Sequence, residues 1–366
     1  MAGLVNPSPD FWRGKRVLVT GHTGFKGAWL SLWLHKLGAV PLGLALAPET
    51  EPSLSALAEV ERKVDGVRGD IRDAGLVLDA VQRLAPDIVL HLAAQTLVRR
   101  SYAEPALTFE TNVMGTLHML EAVRRTPSVR AVIVVTSDKC YENREWHWAY
   151  REDEAMGGHD PYSASKGCTE LVTAAWRRSF LAPEGTCGRT VAMASARAGN
   201  VIGGGDWAED RLIPDCVRAM TEGRTVQIRN PRATRPWQHV LEPLSGYLLL
   251  AQRLWEDGAA FAEGWNFGPV LEDARPVSHV VNEMTRLWAD GASWELHGGD
   301  HPHEAGFLAV DASKARARLG WQPRLRLNEA LAWTTEWYKR QSAGDDAALL
   351  IAEQIERYET IEGIDE

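Results

Sequence analysis

Val17-Leu18-Val19-Thr20-Gly21-His22-Thr23-Gly24-Phe25-Lys26-Gly27 is the stretch on which the reading of this 366-residue chain turns. Val17 to Thr20 is apolar and rich in β-branched residues, which predicts a buried parallel strand. Gly21, Gly24 and Gly27 follow at three-residue spacing. Next comes Ala28-Trp29-Leu30-Ser31-Leu32-Trp33-Leu34, apolar and free of proline, which predicts a buried helix. Strand, glycine turn and helix in that order predict a dinucleotide site. Gly21 permits the tight turn, Gly24 lets the backbone approach a pyrophosphate, and Gly27 lets the helix pack close to the strand. The helix N-terminus adds free N–H groups and a positive dipole end for the phosphates. Glycines at this spacing also occur in ordinary turns; the strand before them and the helix after them favour the nucleotide.

Composition sets the frame around that stretch. The length predicts one large or two medium domains. A hydrophobic fraction of 45% and a charged fraction of 24% are those of an ordinary globular protein. No window approaches the ~20 apolar residues that span a bilayer. Met1 to Asp10 shows neither the basic region nor the apolar core of a signal peptide, so a cytoplasmic protein with no membrane partner is expected. The net charge of -9 argues against nucleic acid as a partner. It leaves room for an anionic small substrate held by local arginines. Cys140, Cys168, Cys187 and Cys216 form no CxxC pair, so reduced structural cysteines are expected. The fifteen tryptophans are read as packing residues.

Beyond the first helix the chain continues in βα units. Val40 to Leu46 predicts a second strand, and an acidic residue commonly follows it to bind the ribose hydroxyls of NAD. Here Glu49 and Glu51 come late, so NAD and NADP both remain open, and Lys26 suits either a 2′-phosphate or solvent. Asp70-Ile71 closes a further strand, where Asp70 suits the adenine edge and Asp73 a helix cap. Pro86 to Gln95 is the next strand, with small residues at its carboxyl end, where ligands bind in open α/β sheets. Pro105 to Thr126 predicts one long helix carrying Asn112. Arg130 to Thr136 predicts another strand, with Ser137-Asp138-Lys139 at its carboxyl end. This alternation predicts a Rossmann-type doubly wound parallel sheet.

Asp160-Pro161-Tyr162-Ser163-Ala164-Ser165-Lys166 opens a helix, with Asp160 suited to the N-cap and Pro161 to the first helical position. Tyr162 and Lys166 are four apart and share a helical face. An ammonium beside a phenol favours the phenolate, which suits the tyrosine to acid–base work. Such a pair by itself is commonly a solvated helix face; its place after the glycine turn and Ser137 favours the catalytic reading.

Near Asn200 the alternation weakens, and a smaller α/β substrate domain is expected over 199–366, with segments around 240–268 returning to the first domain (1–198). Pro231 to His239 carries Arg232, Arg235 and Trp237; arginine forks suit a diphosphate, while a surface turn is the plain alternative. His297 to His303 holds three histidines, but its glycines and prolines favour a loop, and no metal is expected. Residues 345–366 read as a helical or frayed acidic tail.

Taken together, Gly21-x-x-Gly24-x-x-Gly27, Asp70-Ile71, Asn112, Ser137 and Tyr162-x-x-x-Lys166 resemble the extended short-chain dehydrogenase/reductases over about residues 11–340. Within them the chain most resembles the sugar-nucleotide 4,6-dehydratases, on the branch that takes CDP-glucose. Thr136-Ser137-Asp138-Lys139-Cys140-Tyr141, Gly199 to Trp207 and Arg235-Pro236-Trp237-Gln238-His239-Val240 carry that closer likeness. The resemblance implies a lyase that uses NAD, with NADP also open. It places the cofactor on Gly21, His22, Thr23, Gly24, Phe25, Lys26, Gly27, Asp70, Ile71, Leu92, Ala93, Ala94 and Asn112, together with Tyr162 and Lys166. It places catalysis on Ser137, Asp138, Lys139, Tyr162 and Lys166. The nucleotide sugar is placed on Gln95, Ser137, Asn200, Arg235, Trp237 and His303. Most of these dehydratases carry Asp-Glu where this chain has Asp138-Lys139, so a lysine stands at the position of the C5 base. A homodimer or homotetramer built on the 103–126 and 161–181 helices is implied as well. The rival readings are a nucleotide-sugar 4-epimerase or reductase, which needs no Asp138-Lys139 pair, and a non-catalytic dinucleotide sensor, which needs neither Tyr162 nor Lys166.

Overall fold

The computed structural model describes residues 6–182, 185, 188–298 and 305–361. In chain order its strands are β1 (Arg16–Thr20), β2 (Val40–Ala45), β3 (Asp65–Arg68), β4 (Ile88–His91), β5 (Ala131–Val135), β6 (Ala192–Ala198), β7 (Asn200–Ile202), β8 (Val226–Ile228), β9 (Thr234–His239), β10 (Gly264–Phe267), β11 (Ala274–Pro276) and β12 (Trp294–Leu296). Seven strands form one sheet in the order β10-β6-β5-β4-β1-β2-β3, with every neighbouring pair parallel. The chain winds outward from β1 through β2 to β3. It then returns to the other side of β1 through β4, β5 and β6. The order therefore reverses between β1 and β4, which opens a crevice at their carboxyl ends.

The apolar runs of these strands serve two faces. Val17, Val19, Ile88, Leu90, Ile133 and Val135 join a core with Trp29, Leu30, Trp33 and residues of helices Leu241–Asp257, Leu327–Ser342 and Ala347–Thr360. Leu18, Val89, Val132 and Val134 point the other way, onto helices Ala74–Leu84 and Gly115–Arg125. Successive strand residues face opposite sides, so both sets are apolar because both faces are covered. Residues 27–34 of helix Phe25–Lys36 are buried on all sides, with helix Ala347–Thr360 packed on the outer face. Trp33 Nε1 donates to Glu359 Oε1 at 2.9 Å across that contact, and Trp33 meets Tyr358 edge-on at 5.8 Å. Residues 347–360 are thus a docked helix.

Two other elements differ from expectation. The helix over 105–126 is interrupted by a π-helical turn at Glu110–Met114, between Pro105–Phe109 and Gly115–Arg125. Such bulges occur where a helix must redirect a side chain or backbone oxygen. Here the Asn112 carbonyl accepts from the hydroxyls of Thr116 and Thr169, at 2.7 and 2.9 Å. Thr234–His239 is a buried strand, not a surface turn. It is the middle member of a three-stranded sheet, β11-β9-β7, while β10 returns to the edge of the large sheet beside β6. Among the described residues no helix is long and apolar enough to cross a membrane.

The glycine turn has little slack. A Cβ on Gly27 would stand 2.1 Å from the Gly21 carbonyl oxygen and 2.7 Å from its carbon. Backbone cannot yield as a flexible side chain can. We therefore expect Gly27→Ala to cost about 1–3 kcal/mol of stability and to weaken dinucleotide binding. Urea unfolding with and without NAD⁺ measures both; a variant equal to wild type on both would remove the packing argument.

Candidate active site

A cavity of about 840 Å³ lies at the carboxyl ends of β1, β4 and β5 and extends beneath β8 and β9. That is toward the large end of ordinary ligand sites. Its floor is the glycine turn. Gly21 has φ +74°, and a Cβ there would meet the Ala93 backbone at 3.1 Å. Gly24 is the N-cap of helix Phe25–Lys36 and makes no side-chain cap. The helix's first N–H groups therefore face a cradle that added atoms would fill, which fits a dinucleotide pyrophosphate. Gly21, Thr23, Gly24, Phe25, Lys26, Gly27, Asp70, Ile71, Leu92, Ala93 and Ala94 line this cavity, as do Gln95, Asn200, Arg235 and Trp237 from the substrate set.

Two expected ligands stand elsewhere. His22 is buried, its ring against the backbones of Gly43 and Gly66, where a Cβ on Gly43 would come within 2.5 Å of it. Gly43 of β2 and Gly66 of β3 have no side chain there and leave room for the imidazole, which does not line the cavity. Burial holds its pKa down at about 4. Asn112 is also buried outside the cavity. Its Oδ1 accepts from Gln95 N at 2.8 Å. Its Nδ2 donates to Gln95 O and Ser165 Oγ, each at 2.9 Å. It therefore fastens the segment after β4 to the helix bearing Tyr162, and reaches the cavity only through Gln95. His303 lies outside the described residues.

The reacting end is built by two short elements. Asp160 caps helix Pro161–Trp176 through Ser163 N at 2.9 Å, with Pro161 in its first turn. That start aims Tyr162 and Lys166 into the cavity from successive turns. Opposite them, Ser137 caps the single turn Asp138–Cys140. The Ser137 hydroxyl donates to Asp138 Oδ1 at 2.9 Å. Asp138 Oδ2 is buried and has no hydrogen-bond partner among the described residues. Burial raises the Asp138 pKa, with Lys139, Ser137 and Arg235 pulling it back. An acid whose ionisation burial opposes, with one oxygen that meets no donor among the described residues, is suited to give a proton.

Tyr162 departs from the sequence expectation in its charge. Burial pushes its phenol up to about 12, although the neighbouring Ser137 hydroxyl and Arg211 oppose the rise. Lys166 is not among the leading influences on it. Its own ammonium is pushed down to about 8 by burial, and its Nζ donates to the Val135 carbonyl at 3.3 Å. The phenolate thus needs a further cation beside it.

Two groups missed in the sequence complete the site. Arg211 lines the cavity, held by Asp206 Oδ2 at 2.9 Å and Thr96 Oγ1 at 2.7 Å. No local pattern marks it. Glu170 sits one turn beyond Lys166 and is ion-paired to Arg197 at 2.9 Å, with side chains 4% and 5% exposed. Glu170 also accepts from Thr136 Oγ1 at 2.5 Å and Ser195 Oγ at 2.6 Å. Arg197 donates onward to Tyr141 Oη at 2.7 Å. The four-residue spacing from Lys166 places Glu170 on the same helical face, a signal available in the sequence. Nothing marks Arg197 as its partner.

A glycine cradle and a buried phenol–lysine pair in one cavity define a dinucleotide-dependent enzyme that oxidises a hydroxyl group, on a short-chain dehydrogenase/reductase fold. Residues 18–334 match the family model described as GDP-mannose 4,6 dehydratase, and the chain belongs to that family. It is 54% identical over 349 residues to the CDP-glucose 4,6-dehydratase of Salmonella typhimurium, covering 95% of this chain and 97% of that one. It is 28% identical to a dTDP-glucose 4,6-dehydratase of Xanthomonas campestris over 88% of this chain and 92% of the relative. Among solved structures, a dTDP-glucose 4,6-dehydratase from Streptomyces venezuelae with NAD and TYD bound superposes with a TM-score of 0.75 at 25% identity, over 91% and 99% of the two chains.

The buried ion pair makes its own prediction. Arg197→Met leaves the Glu170 carboxylate buried without its cation, which costs about 3–5 kcal/mol when such pairs are broken. Restoring neutrality with Glu170→Gln in the same chain should recover part of that loss. Equilibrium unfolding of the three variants tests it, and an unchanged midpoint in Arg197→Met would show that the pair carries no weight.

Proposed function

We propose that this chain converts CDP-D-glucose to CDP-4-dehydro-6-deoxy-D-glucose and water, with NAD as cofactor. The observation that carries the reading is the Ser137-Asp138-Lys139 turn facing the same cavity as Tyr162 and Lys166. A 4-epimerase needs the second pair alone. The likeness to the Salmonella CDP-glucose enzyme supports the cytidine nucleotide, and the NAD-bound Streptomyces structure supports the cofactor.

In this reading the Tyr162 phenolate takes the proton of the glucose 4-hydroxyl while Ser137 hydrogen-bonds the same oxygen. NAD⁺, when bound on the glycine turn and Lys166, would supply the acceptor for the C4 hydride and the source of the hydride for C6. The resulting 4-ketone acidifies the C5 proton, so oxidation precedes elimination. Lys139 removes that proton, and Asp138 protonates the departing 6-hydroxyl, which leaves as water. Lys139 would then return its proton to C5, and the proton held by Tyr162 would pass through solvent to Asp138, so both groups are restored and the net change is loss of one water. Lys166 orients the cofactor ribose, and Arg235, Asn200, Gln95 and Trp237 hold the nucleotide sugar. Arg235 and Trp237 are kept rigid by bonds to the carbonyls of Thr234 and Arg275, at 2.9 and 3.0 Å. The accompanying division of the chain gives 1–198, with 240–268, to the cofactor and most of 199–366 to the nucleotide sugar.

Incubation with CDP-glucose and NAD⁺, followed by mass spectrometry, should show a product lighter by one water with no net NADH. Tyr162→Phe should lose about 10²–10⁴-fold in rate. Asp138→Asn should still exchange the C4 hydride with the cofactor but release water at least ~100-fold more slowly. A product of unchanged mass and altered stereochemistry would convert the assignment to an epimerase.

The same reading makes the chain a homo-oligomer. Tyr102, Phe109, Met114 and Leu171 are exposed on neighbouring helices, Leu171 by 61%. A second copy covering that face explains the exposed apolar side chains. Leu171→Glu should then lower the mass measured by light scattering to that of a smaller assembly. A wild-type chain that runs as a 40.5 kDa monomer would overturn the interface.

A further inference from the structure

Asp210 joins three chain segments in the wall of the active-site cavity. It lies just before helix Leu212–Thr221, with φ +60°, a left-handed conformation that aspartate tolerates better than most residues. Arg99, on helix Val98–Ala103, donates to Asp210 Oδ1 at 3.4 Å. Arg229, just after β8, donates to the same oxygen at 2.9 Å. Oδ2 accepts no hydrogen bond among the described residues. All three residues line the cavity, and the Asp210 side chain is 40% exposed. Hydrogen bonds fix where along the cavity this carboxylate stands. The helix that carries Arg99 also holds the start of the catalytic helix, because Ser101 Oγ accepts from Tyr162 N at 3.2 Å. Arg211, next to Asp210, reaches Thr96 Oγ1 at 2.7 Å. Asp210 therefore stands between the reacting end and β8, in the half of the cavity assigned to the nucleotide sugar.

A carboxylate is an unfavourable neighbour for a diphosphate, since like charges in one cavity repel. Two guanidinium groups on one oxygen offset that repulsion and hold the carboxylate in one orientation. Arginines by themselves would pair with phosphate without Asp210 between them. What Asp210 adds is Oδ2, an acceptor of fixed direction. Phosphate and ring oxygens have no proton to give it, whereas the hydroxyl groups of the hexose and the ribose do. We propose that Asp210 is a specificity-determining residue whose Oδ2 accepts a hydrogen bond from a hydroxyl group of the nucleotide sugar. The inference rests on the proposed reading, which puts a nucleotide sugar in this cavity. In that reading the hexose 4- and 6-hydroxyls are engaged by Tyr162, Ser137 and Asp138, which leaves the hexose 2- and 3-hydroxyls and the two ribose hydroxyls. A bond of this kind discriminates strongly, because a ligand lacking the hydroxyl leaves the carboxylate oxygen desolvated and unpaired.

Calorimetric titration of cofactor-free protein tests this without turnover. Wild type, Asp210→Gly and Asp210→Asn are each titrated with CDP-glucose and with its 2-deoxyhexose, 3-deoxyhexose, 2′-deoxyribose and 3′-deoxyribose analogues. Glycine suits the left-handed backbone, so Asp210→Gly removes the carboxylate without strain. Asparagine keeps an oxygen for the arginines and puts an amide nitrogen in place of Oδ2. In wild type one analogue should bind at least about ten-fold more weakly than CDP-glucose. In Asp210→Gly the same analogue should bind within about two-fold of CDP-glucose, with Asp210→Asn between the two. The hydroxyl that couples in this way tells hexose from ribose. Equal weakening of every ligand in Asp210→Gly would make Asp210 a clamp for Arg99 and Arg229 alone and overturn the proposal. A preference for CDP-glucose over UDP-glucose that Asp210→Gly abolishes, with no coupling to any hydroxyl, would assign Oδ2 to the base amino group and overturn it too. Should Asp210→Gly not fold, Asp210→Asn decides by the same comparison. Failure of the dehydratase reading shows separately, as wild type with NAD⁺ releasing no water from CDP-glucose.

Discussion

The buried pair of Glu170 and Arg197 is the interaction on which the site's geometry depends. Glu170 stands on the helix that carries Tyr162 and Lys166, and its carboxylate accepts from Thr136, next to Ser137. Arg197 comes from β6 and reaches Tyr141, just past the turn holding Asp138 and Lys139. One ion pair thus joins three chain segments that are distant in sequence and sets the two halves of the catalytic constellation against each other. Burying charges is expensive, and it is tolerated only where the remaining lone pairs and N–H groups are satisfied. Here they are: Glu170 receives four hydrogen bonds, from Thr136, Ser195 and two guanidinium nitrogens of Arg197. Tyr141 passes the chain on to Asn266 of β10 at 2.7 Å. The edge strand is thereby fixed to the same network, and Asn266 in turn holds the carbonyls of Tyr150 and Asp311.

This rigid frame surrounds a cavity whose electrostatics oppose the protein's global charge. The chain is acidic overall, yet Lys26, Lys166, Arg211 and Arg235 converge on the reacting end. Burial then works on each group in the direction that neutralises it. Asp138 and Tyr162 are pushed toward their protonated forms and Lys26 and Lys166 toward their neutral amines. A site so poised exchanges protons at modest driving force, which is what an oxidation followed by an elimination requires.

Local signals in the chain reveal much of this. The apolar runs of β1, β4 and β5 and the glycine turn are written in consecutive residues, because a strand buried on both faces and a tight backbone approach leave few choices. Asp160 and Pro161 mark the start of the catalytic helix for equally local reasons, and the four-residue spacing of Tyr162 and Lys166 follows from helical geometry. β9 escaped because arginine and proline within a short run read as a turn. Its burial depends on β7 and β11, which flank it in the small sheet. The π-helical turn at Asn112 escaped because part of its hydrogen bonding comes from Thr169 on another helix, which no local pattern records.

The sequence by itself determined the doubly wound sheet, its glycine turn and the shared helical face of Tyr162 and Lys166, since each follows from period, spacing or backbone sterics within about ten residues; Ser137, Asp138 and Lys139 were singled out only by family resemblance. The tertiary structure decided what those groups face and how they are charged. It turned His22 under the sheet, took Asn112 out of the cavity wall, delivered Lys26 and Arg211 to the reacting end, and raised the phenol that Lys166 was expected to lower. Desolvation and pairing arise only when segments far apart in the chain close around one another, and no local pattern records which segments those will be.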